Sequence, residues 1–425
     1  MIKDVFTPPK GMRDIEPAAS EIRNKVVGGI ISCYKKYGFN SIDTPSLEKM
    51  ENLTSKKGGE NEKLIFKILK RGDELKETLK EGAQENDLAD FGLRYDLTVP
   101  LARYYAHFKD KLPKPFKAFQ IGNVWRAEKP QQSRYRQFTQ CDIDIIGDST
   151  PNCETELIYV TCKTLQSLEI KNFEIRINDR RILKRIILNC GVTDDGYRDF
   201  LIALDKLDKK SLDDIIEELR KKGFEETVLA NVKKVFEDFK ARRSRIDLQE
   251  GAGASDENYA KACKELLKII SSVKSLLGDT IIRFDPMLVR GMDYYTGTIY
   301  EVNEINGNMS FGGGGRYDNM IGSFSGQQEP ACGFSLGFER IIDSFFSGGI
   351  KPACGIKAAV LYDPEKDAYP EAVKYCEKAM NDYETVSVFV RQKNVSNQLE
   401  KLKETGFTHW GFFKGENTQI CKLEK

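Results

Sequence analysis

Histidine is scarce in this chain: only His107 and His409 occur among 425 residues. So few imidazoles set aside histidine-based triads, three-histidine zinc sites and histidine general bases, and any chemistry must run on other groups. The ten cysteines lie far apart, at positions such as Cys33, Cys141, Cys190, Cys332 and Cys421, with no CxxC pair to suggest zinc or a redox motif. A reduced cytosol is the simplest setting for them. An excess of charge is missing too, because 66 Lys and Arg stand against 65 Asp and Glu. A nucleic-acid partner would therefore have to be met by local patches. The opening MIKDVFTPPKGMRDIEP has no apolar signal core, and no apolar run approaches membrane-spanning length. The expectation is a cytoplasmic protein with no membrane association.

What is present reads as an ordinary globular chain. Apolar residues make up 40% and charged residues 31%, without low-complexity segments. The length exceeds what one core usually supports, so two or three domains are expected. Ile22, Val26, Ile30 and Tyr34 recur every fourth residue and predict a helix over 18–38, stopped by Gly38. FNSIDTPSLE follows as an extended stretch meeting Pro45. Residues 116–126 and 136–146 read as a hairpin around the polar connection KPQQS, and FEIRIND at 173–179 alternates as a strand. Residues 181–278 read almost wholly as helices, with Ser211 and Asp214 forming a capping box, which marks a helical insertion. Strand signals return at 281–302 and 309–312, broken by glycines, and GFERIIDSFF reads as a helix. From about 352 onward KAAVLYD, a helix near 368–381, ETVSVFV, a helix near 394–405 and THWGFF alternate as a small α/β domain.

Four stretches carry candidate chemistry. In FQIGNVWRAEKPQQSRYRQFTQCDIDIIG, strand alternation puts Phe138, Gln140, Asp142 and Asp144 on one face. From alternation alone a solvated outer face is the favoured explanation of such a stripe. Arg126, Arg134 and Arg136 flank the turn, however, and guanidinium groups with an aromatic neighbour suit a stacked nucleotide whose phosphates are held. LVRGMDYYTGTIYEV places Arg290, Asp293, Tyr294 and Tyr295 in an apolar segment, either as a ligand site or as a structural Arg290–Asp293 pair. A turn or bulge at Gly291 would be needed for Arg290 and Tyr295 to serve one pocket. In FGGGGRYDNM the glycines open the backbone to a ligand or to a neighbouring strand, but the run does not fit a phosphate loop. ACGFSLGFERI ends in an apolar helix carrying Arg340.

Together these stretches resemble the class II aminoacyl-tRNA synthetases and, within them, the histidyl-tRNA synthetase family. FNSIDTPSLE with Pro45 looks like motif 1, WRAE with RYRQF like motif 2, and GFSLGFER like motif 3. LVRGMDYYTGTIYE and GGGGRYD look like the two histidine-specific motifs. The five occur in the family's order between about residues 6 and 345. The resemblance implies an α+β fold with a six- or seven-stranded antiparallel sheet ringed by helices over 1–350. It also implies the insertion at about 181–278, a C-terminal anticodon-binding α/β domain over 352–425, and a homodimer built around motif 1.

The implied reaction is activation of histidine by ATP, with Mg²⁺ held mainly through the ATP phosphates, followed by transfer of histidine to the 3′ end of tRNA(His). Arg126 and Arg290 would be catalytic, meeting the α-phosphate and the histidine carboxylate, and Arg134 would reach the outer phosphates. Glu128 would recognise adenine, sandwiched between Phe138 and Arg340. Asp96, Thr98 and Gln140 would hold the α-amino group, with Asp96 and Thr98 expected on one strand face. Asp144 and Tyr295 would read the imidazole, with Tyr294 beside them in the histidine site. Gln132 and Ser133 stand where the family usually has a basic residue and glycine, and the C-terminal stretch is expected to carry a reduced or altered anticodon surface. The rival within the resemblance is a non-catalytic regulatory subunit or tRNA sensor, which keeps the fold and loses the site. Retention of Arg126, Arg290, Arg340 and the carboxylates speaks for the enzyme.

Overall fold

The computed structural model describes residues 6–54, 60–80, 82–130, 134–207, 210–242, 256–289, 294–307, 309–347 and 355–423. The chain divides into two compact units, one of residues 29–341 and one of residues 1–28 with 342–425.

The larger unit is organised by the expected hairpin. Phe116–Trp125 and Gln137–Ile146 pair antiparallel along their full lengths, from Phe116 opposite Ile146 to Trp125 opposite Gln137. Ala331–Gly337, Ser310–Arg316, Thr298–Glu304 and Phe173–Asp179 extend the sheet in that order, every pair antiparallel. Two short strands close the edges in parallel, Asn40–Ser41 beside Phe116–Trp125 and Ile281–Phe284 beside Phe173–Asp179. The six- or seven-stranded expectation thus becomes a six-stranded antiparallel centre within eight strands among the described residues. The glycine run lies at mid-sheet because its neighbours leave no room. A Cβ on Gly314 would overlap the carbonyl of Gly333 on the next strand.

Two sequence readings need correction. The break within 281–302 begins earlier than its glycines: the sheet is left after Phe284 and rejoined at Thr298. Asp285 accepts the Met287 N–H at 3.0 Å and Pro286 supplies no donor, so a turn forms where the ladder would have continued. Its partner at 309–312 runs on to Arg316. Asp96 and Thr98 also share no strand face. The strand ends at Leu93 and a helix spans Thr98–Phe108. Asp96 Oδ1 accepts the Val99 N–H at 3.1 Å, and Pro100 sits in the first turn, where its missing donor costs nothing.

The insertion is helical as expected, with Arg180–Asn189, Tyr197–Leu204, Leu212–Lys221, Glu226–Arg242 and Glu257–Leu277. Asp179, Ser211 and Asp256 cap three of these helices through backbone N–H groups, and Ser211 with Asp214 forms the capping box. Leu183, Ile187, Phe200, Ile215, Leu219, Val232 and Phe236 give the first four helices a core of their own. Burying each such side chain stabilises by about 1.5–3 kcal/mol, so this subdomain does not depend on the sheet for its apolar packing. The last helix packs on Asn152–Ser167 as well as on Arg180–Asn189.

In the second unit, Thr385–Val390, Lys357–Tyr362 and His409–Phe412 are parallel neighbours, and Cys421–Lys422 adds an antiparallel edge. Helices Tyr369–Ala379 and Val395–Glu404 are the crossovers, matching the expected α/β alternation. Glu21 and Lys25, early in the helix Pro17–Lys36, pair with Lys357 and Glu384 of this unit.

Candidate active site

One face of the central sheet holds a small, partly open cavity. Its walls include Asp96 and Thr98 from the start of their helix, Gln140, Asp142 and Asp144 from the hairpin, and the Tyr294–Tyr295 pair. Gly313, Tyr317, Gly333, Phe334 and Ser335 complete it. The polar stripe of the hairpin is therefore not a solvated face. Asp142 and Asp144 are 3% and 4% exposed, because strands on either side and the segment at Tyr294–Tyr317 cover them.

Local geometry fixes these groups. Tyr317 donates its hydroxyl to Asp144 Oδ1 at 2.6 Å, and Tyr294 meets the Tyr317 ring edge-on with centroids 6.0 Å apart. Gly333 stands opposite Asp144 in the ladder, and a Cβ there would collide with the Asp144 carboxylate. A Cβ on Gly315 would meet the Thr298 carbonyl at 2.6 Å and Tyr295 at 3.0 Å. The glycines thus act by making room for site side chains. Beneath the Asp96 turn, buried Arg94 donates to Asn123 O at 2.9 Å and Thr44 O at 2.6 Å. Thr44 donates to Gln120, whose amide donates to Leu97 O at 3.1 Å. This chain of bonds ties the turn carrying Asp96 and Thr98 to the hairpin.

Three buried carboxyls in one cavity cannot all hold charge cheaply. Burial, opposed by the Val99 N–H and the Arg126 charge, pushes Asp96 up to about 6. Burial also pushes Asp144 up to about 7 against the Tyr317 hydrogen bond, and raises Asp142 well above the carboxylate range, helped by the charge of Asp144. A cationic ligand reverses the balance by favouring the ionised forms.

The arginine side is arranged differently from the sequence expectation. Arg126 Nε donates to Tyr95 O at 3.0 Å, next to Asp96, and its guanidinium lies 5.1 Å from the centroid of the Phe138 ring. Arg134 is ion-paired with Glu128, and Arg136 donates to the Glu128 carbonyl at 2.9 Å, so the groups expected at the outer phosphates and at adenine are engaged with each other. Arg340 donates to Ser310 O at 2.9 Å, and neighbouring Glu339 accepts the Thr139 N–H at 3.2 Å, fixing the end of the motif 3 strand against the hairpin. Arg290, Asp293 and Gly291 lie outside the described residues, as do Gln132 and Ser133. No group of three or more His, Cys, Asp or Glu among the described residues is arranged to hold a metal ion.

Sequence reasoning named six of the cavity residues: Asp96, Thr98, Gln140, Asp144, Tyr294 and Tyr295. It gave no role to Asp142, Gly313, Tyr317, Gly333, Phe334 or Ser335. Alternation had already placed Asp142 beside Gln140 and Asp144. The others become neighbours only through strand pairing, which no local pattern displays.

Known proteins share the sequence and the fold of this chain. The family model described as histidyl-tRNA synthetase matches residues 11–341. The chain is 39% identical over 433 residues to the histidine–tRNA ligase of Leifsonia xyli subsp. xyli (strain CTCB07), covering 98% of this chain and 97% of the relative. It is 39% identical over 355 residues to that of Porphyromonas gingivalis (strain ATCC BAA-308 / W83), covering 81% and 77%. Histidyl-tRNA synthetase from Nostoc sp. PCC 7120 shares the fold with a TM-score of 0.75 at 23% identity, over 98% of this chain and 94% of that one. An ATP phosphoribosyltransferase regulatory subunit/histidyl-tRNA synthetase from Bacillus halodurans C gives 0.70 at 20% identity, over 93% and 96%. With its family model spanning most of the chain and such relatives matching nearly end to end, the chain belongs to the histidyl-tRNA synthetase family.

Proposed function

We propose that the chain is a histidine–tRNA ligase whose cavity holds histidine while the adjoining arginines hold ATP. The observation that carries this reading is the cavity lining itself, in which carboxyls, a glutamine and tyrosines come together on one face of the sheet. Neutral imidazole has one donor and one acceptor nitrogen. Asp144 accepts from the first and Tyr295 donates to the second. An apolar side chain of similar size would leave both groups buried and unpaired, a penalty large enough to reject it. Asp96 and Gln140 accept from the α-amino group, with Thr98 beside them in the cavity wall.

The histidine carboxylate attacks the α-phosphorus of ATP in line, a P–O bond forms, and pyrophosphate leaves with the electrons of the bond that breaks. The terminal hydroxyl of the tRNA then attacks the activated carbonyl, and AMP leaves. No histidine base is required, since the protein positions reactants and offsets developing negative charge. Arg126, anchored on Tyr95 O beside Asp96, stands at the junction of the two substrates, and Arg290 is its partner by family resemblance. Arg134 turns from Glu128 to the outer phosphates, freeing Glu128 for adenine, and Phe138 with Arg340 flanks the base. Mg²⁺ enters with ATP, and no step is assigned to a protein-held ion.

The small unit reads the anticodon in this proposal. Arg391, Lys393 and Lys414 follow the carboxyl ends of its parallel strands, where open α/β sheets place ligands. A homodimer around Pro45 is supported by Leu47 and Phe91, 49% and 47% exposed on the small neighbouring sheet of Leu47–Lys49, Phe91–Leu93 and Lys67–Ile68. No helix among the described residues is long and apolar enough to cross a membrane, and a translation substrate supports a cytoplasmic setting. The test is exchange of pyrophosphate into ATP with each amino acid in turn. Exchange dependent on histidine is expected; exchange with another amino acid and none with histidine would falsify the assignment.

A further inference from the structure

We infer that Asp142 is a third acceptor for the α-ammonium of the substrate, beside Asp96 and Gln140, and that it makes a free α-amino group a condition of binding. The inference rests on the reading of the cavity as the histidine site.

Three oxygens on the cavity-lining residues are buried without a hydrogen-bond partner among the described residues: Asp96 Oδ2, Gln140 Oε1 and Asp142 Oδ1. An ammonium group carries three N–H donors and no acceptor, so three open acceptors are its complement in number and in kind. Asp144 is not part of this set, because its Oδ1 takes the Tyr317 hydroxyl and its role lies at the ring.

Strand pairing explains why Asp142 is the open group in its row. Gln120, Asp142, Ser335, Gly313 and Glu301 stand opposite one another across five strands, so their side chains share one face of the sheet. Gln120 is committed to Thr44 and Leu97. Glu301 takes the Ser310 hydroxyl at 2.5 Å. Gly313 has no side chain and leaves the floor open. Ser335 accepts from Gln140 Nε2 at 2.8 Å and hydrogen-bonds the Asp142 carboxyl, which orients both acceptors. What remains facing the cavity is Asp142 Oδ1. A ligand without N–H donors at this point strands all three oxygens, which is the costly side of the hydrogen-bond balance.

Histidine and 3-(imidazol-4-yl)propionate differ only in the α-amino group, so the ratio of their dissociation constants on the full-length enzyme isolates this interaction. In Asp142→Asn, histidine binding should weaken by about 10- to 100-fold, the range of a charge-assisted hydrogen bond, with the propionate unchanged or tighter, so that the ratio collapses. Equal weakening of both ligands, or unchanged histidine affinity, overturns the proposal. Ser335→Ala keeps the carboxylate and removes its orienting partner, so a fall of about 2- to 10-fold in the same ratio is expected. If Asp142→Asn does not fold, an unchanged ratio in Ser335→Ala overturns the proposal by itself. Failure of the underlying reading is distinct, since unmodified enzyme would then not bind histidine.

Discussion

Replacing Asp144 with asparagine should stabilise the unliganded protein at alkaline pH while it cripples histidine binding. Asp144 is held at about 7 in the folded chain against an ordinary value of 3.8. A carboxyl raised by folding binds its proton more tightly in the folded state. Its contribution to stability is therefore complete below about pH 4 and is lost as pH rises through about 7. A difference of about three pH units corresponds to about 4 kcal/mol at about 1.36 kcal/mol each, an upper figure because Asp96 and Asp142 share the same field. Asparagine cannot ionise, and its carbonyl can still accept from Tyr317, although its amide brings a buried donor that costs about 1–2 kcal/mol where unpaired. Urea unfolding without ligands at pH 5 and pH 8 should show the variant gaining about 2–3 kcal/mol on the wild type between the two, the rest of the difference lying below pH 5. Histidine binding should weaken by about 10- to 100-fold because the charge-assisted hydrogen bond to the ring is gone, and ATP affinity should stay within about threefold. A stability difference that does not vary with pH would refute the account of the buried carboxyl, and equal losses for histidine and ATP would refute its placement at the ring.

Two further outcomes follow from the geometry. Gly333→Ala should raise the KM for histidine by at least about tenfold with near-normal exposure of the core, because the added Cβ displaces the Asp144 carboxylate; unchanged KM in pyrophosphate exchange would show that the carboxylate position is irrelevant. Arg391→Ala combined with Lys414→Ala should leave pyrophosphate exchange intact and weaken tRNA binding, reducing the salt slope by about one for each phosphate no longer neutralised. Charging and salt dependence identical to wild type would remove the anticodon role from this surface.

Much of the fold was legible because local patterns and tertiary packing agreed. Period-two alternation found Phe116–Trp125, Gln137–Ile146 and Phe173–Asp179, and the Ser211–Asp214 box marked a helix start that forms as read. The misreadings lie where a short polar side chain competes with the ladder. Asp285 turns the chain out of the sheet, and Asp96 starts a helix where a strand face was expected.

By itself the sequence determined the order of motifs, the helical insertion, the α/β end of the chain and six residues of the cavity. It could also show that Gln140, Asp142 and Asp144 point one way, because that follows from two-residue periodicity alone. Whether that face met water or ligand was decided only by tertiary structure, since burial depends on strands and tyrosines drawn from nearly two hundred residues further along the chain. The same holds for Gly333 beneath Asp144 and Ser335 beside Asp142. Cross-strand neighbours are set by register between distant segments, and register is a property of the assembled sheet that no single segment encodes.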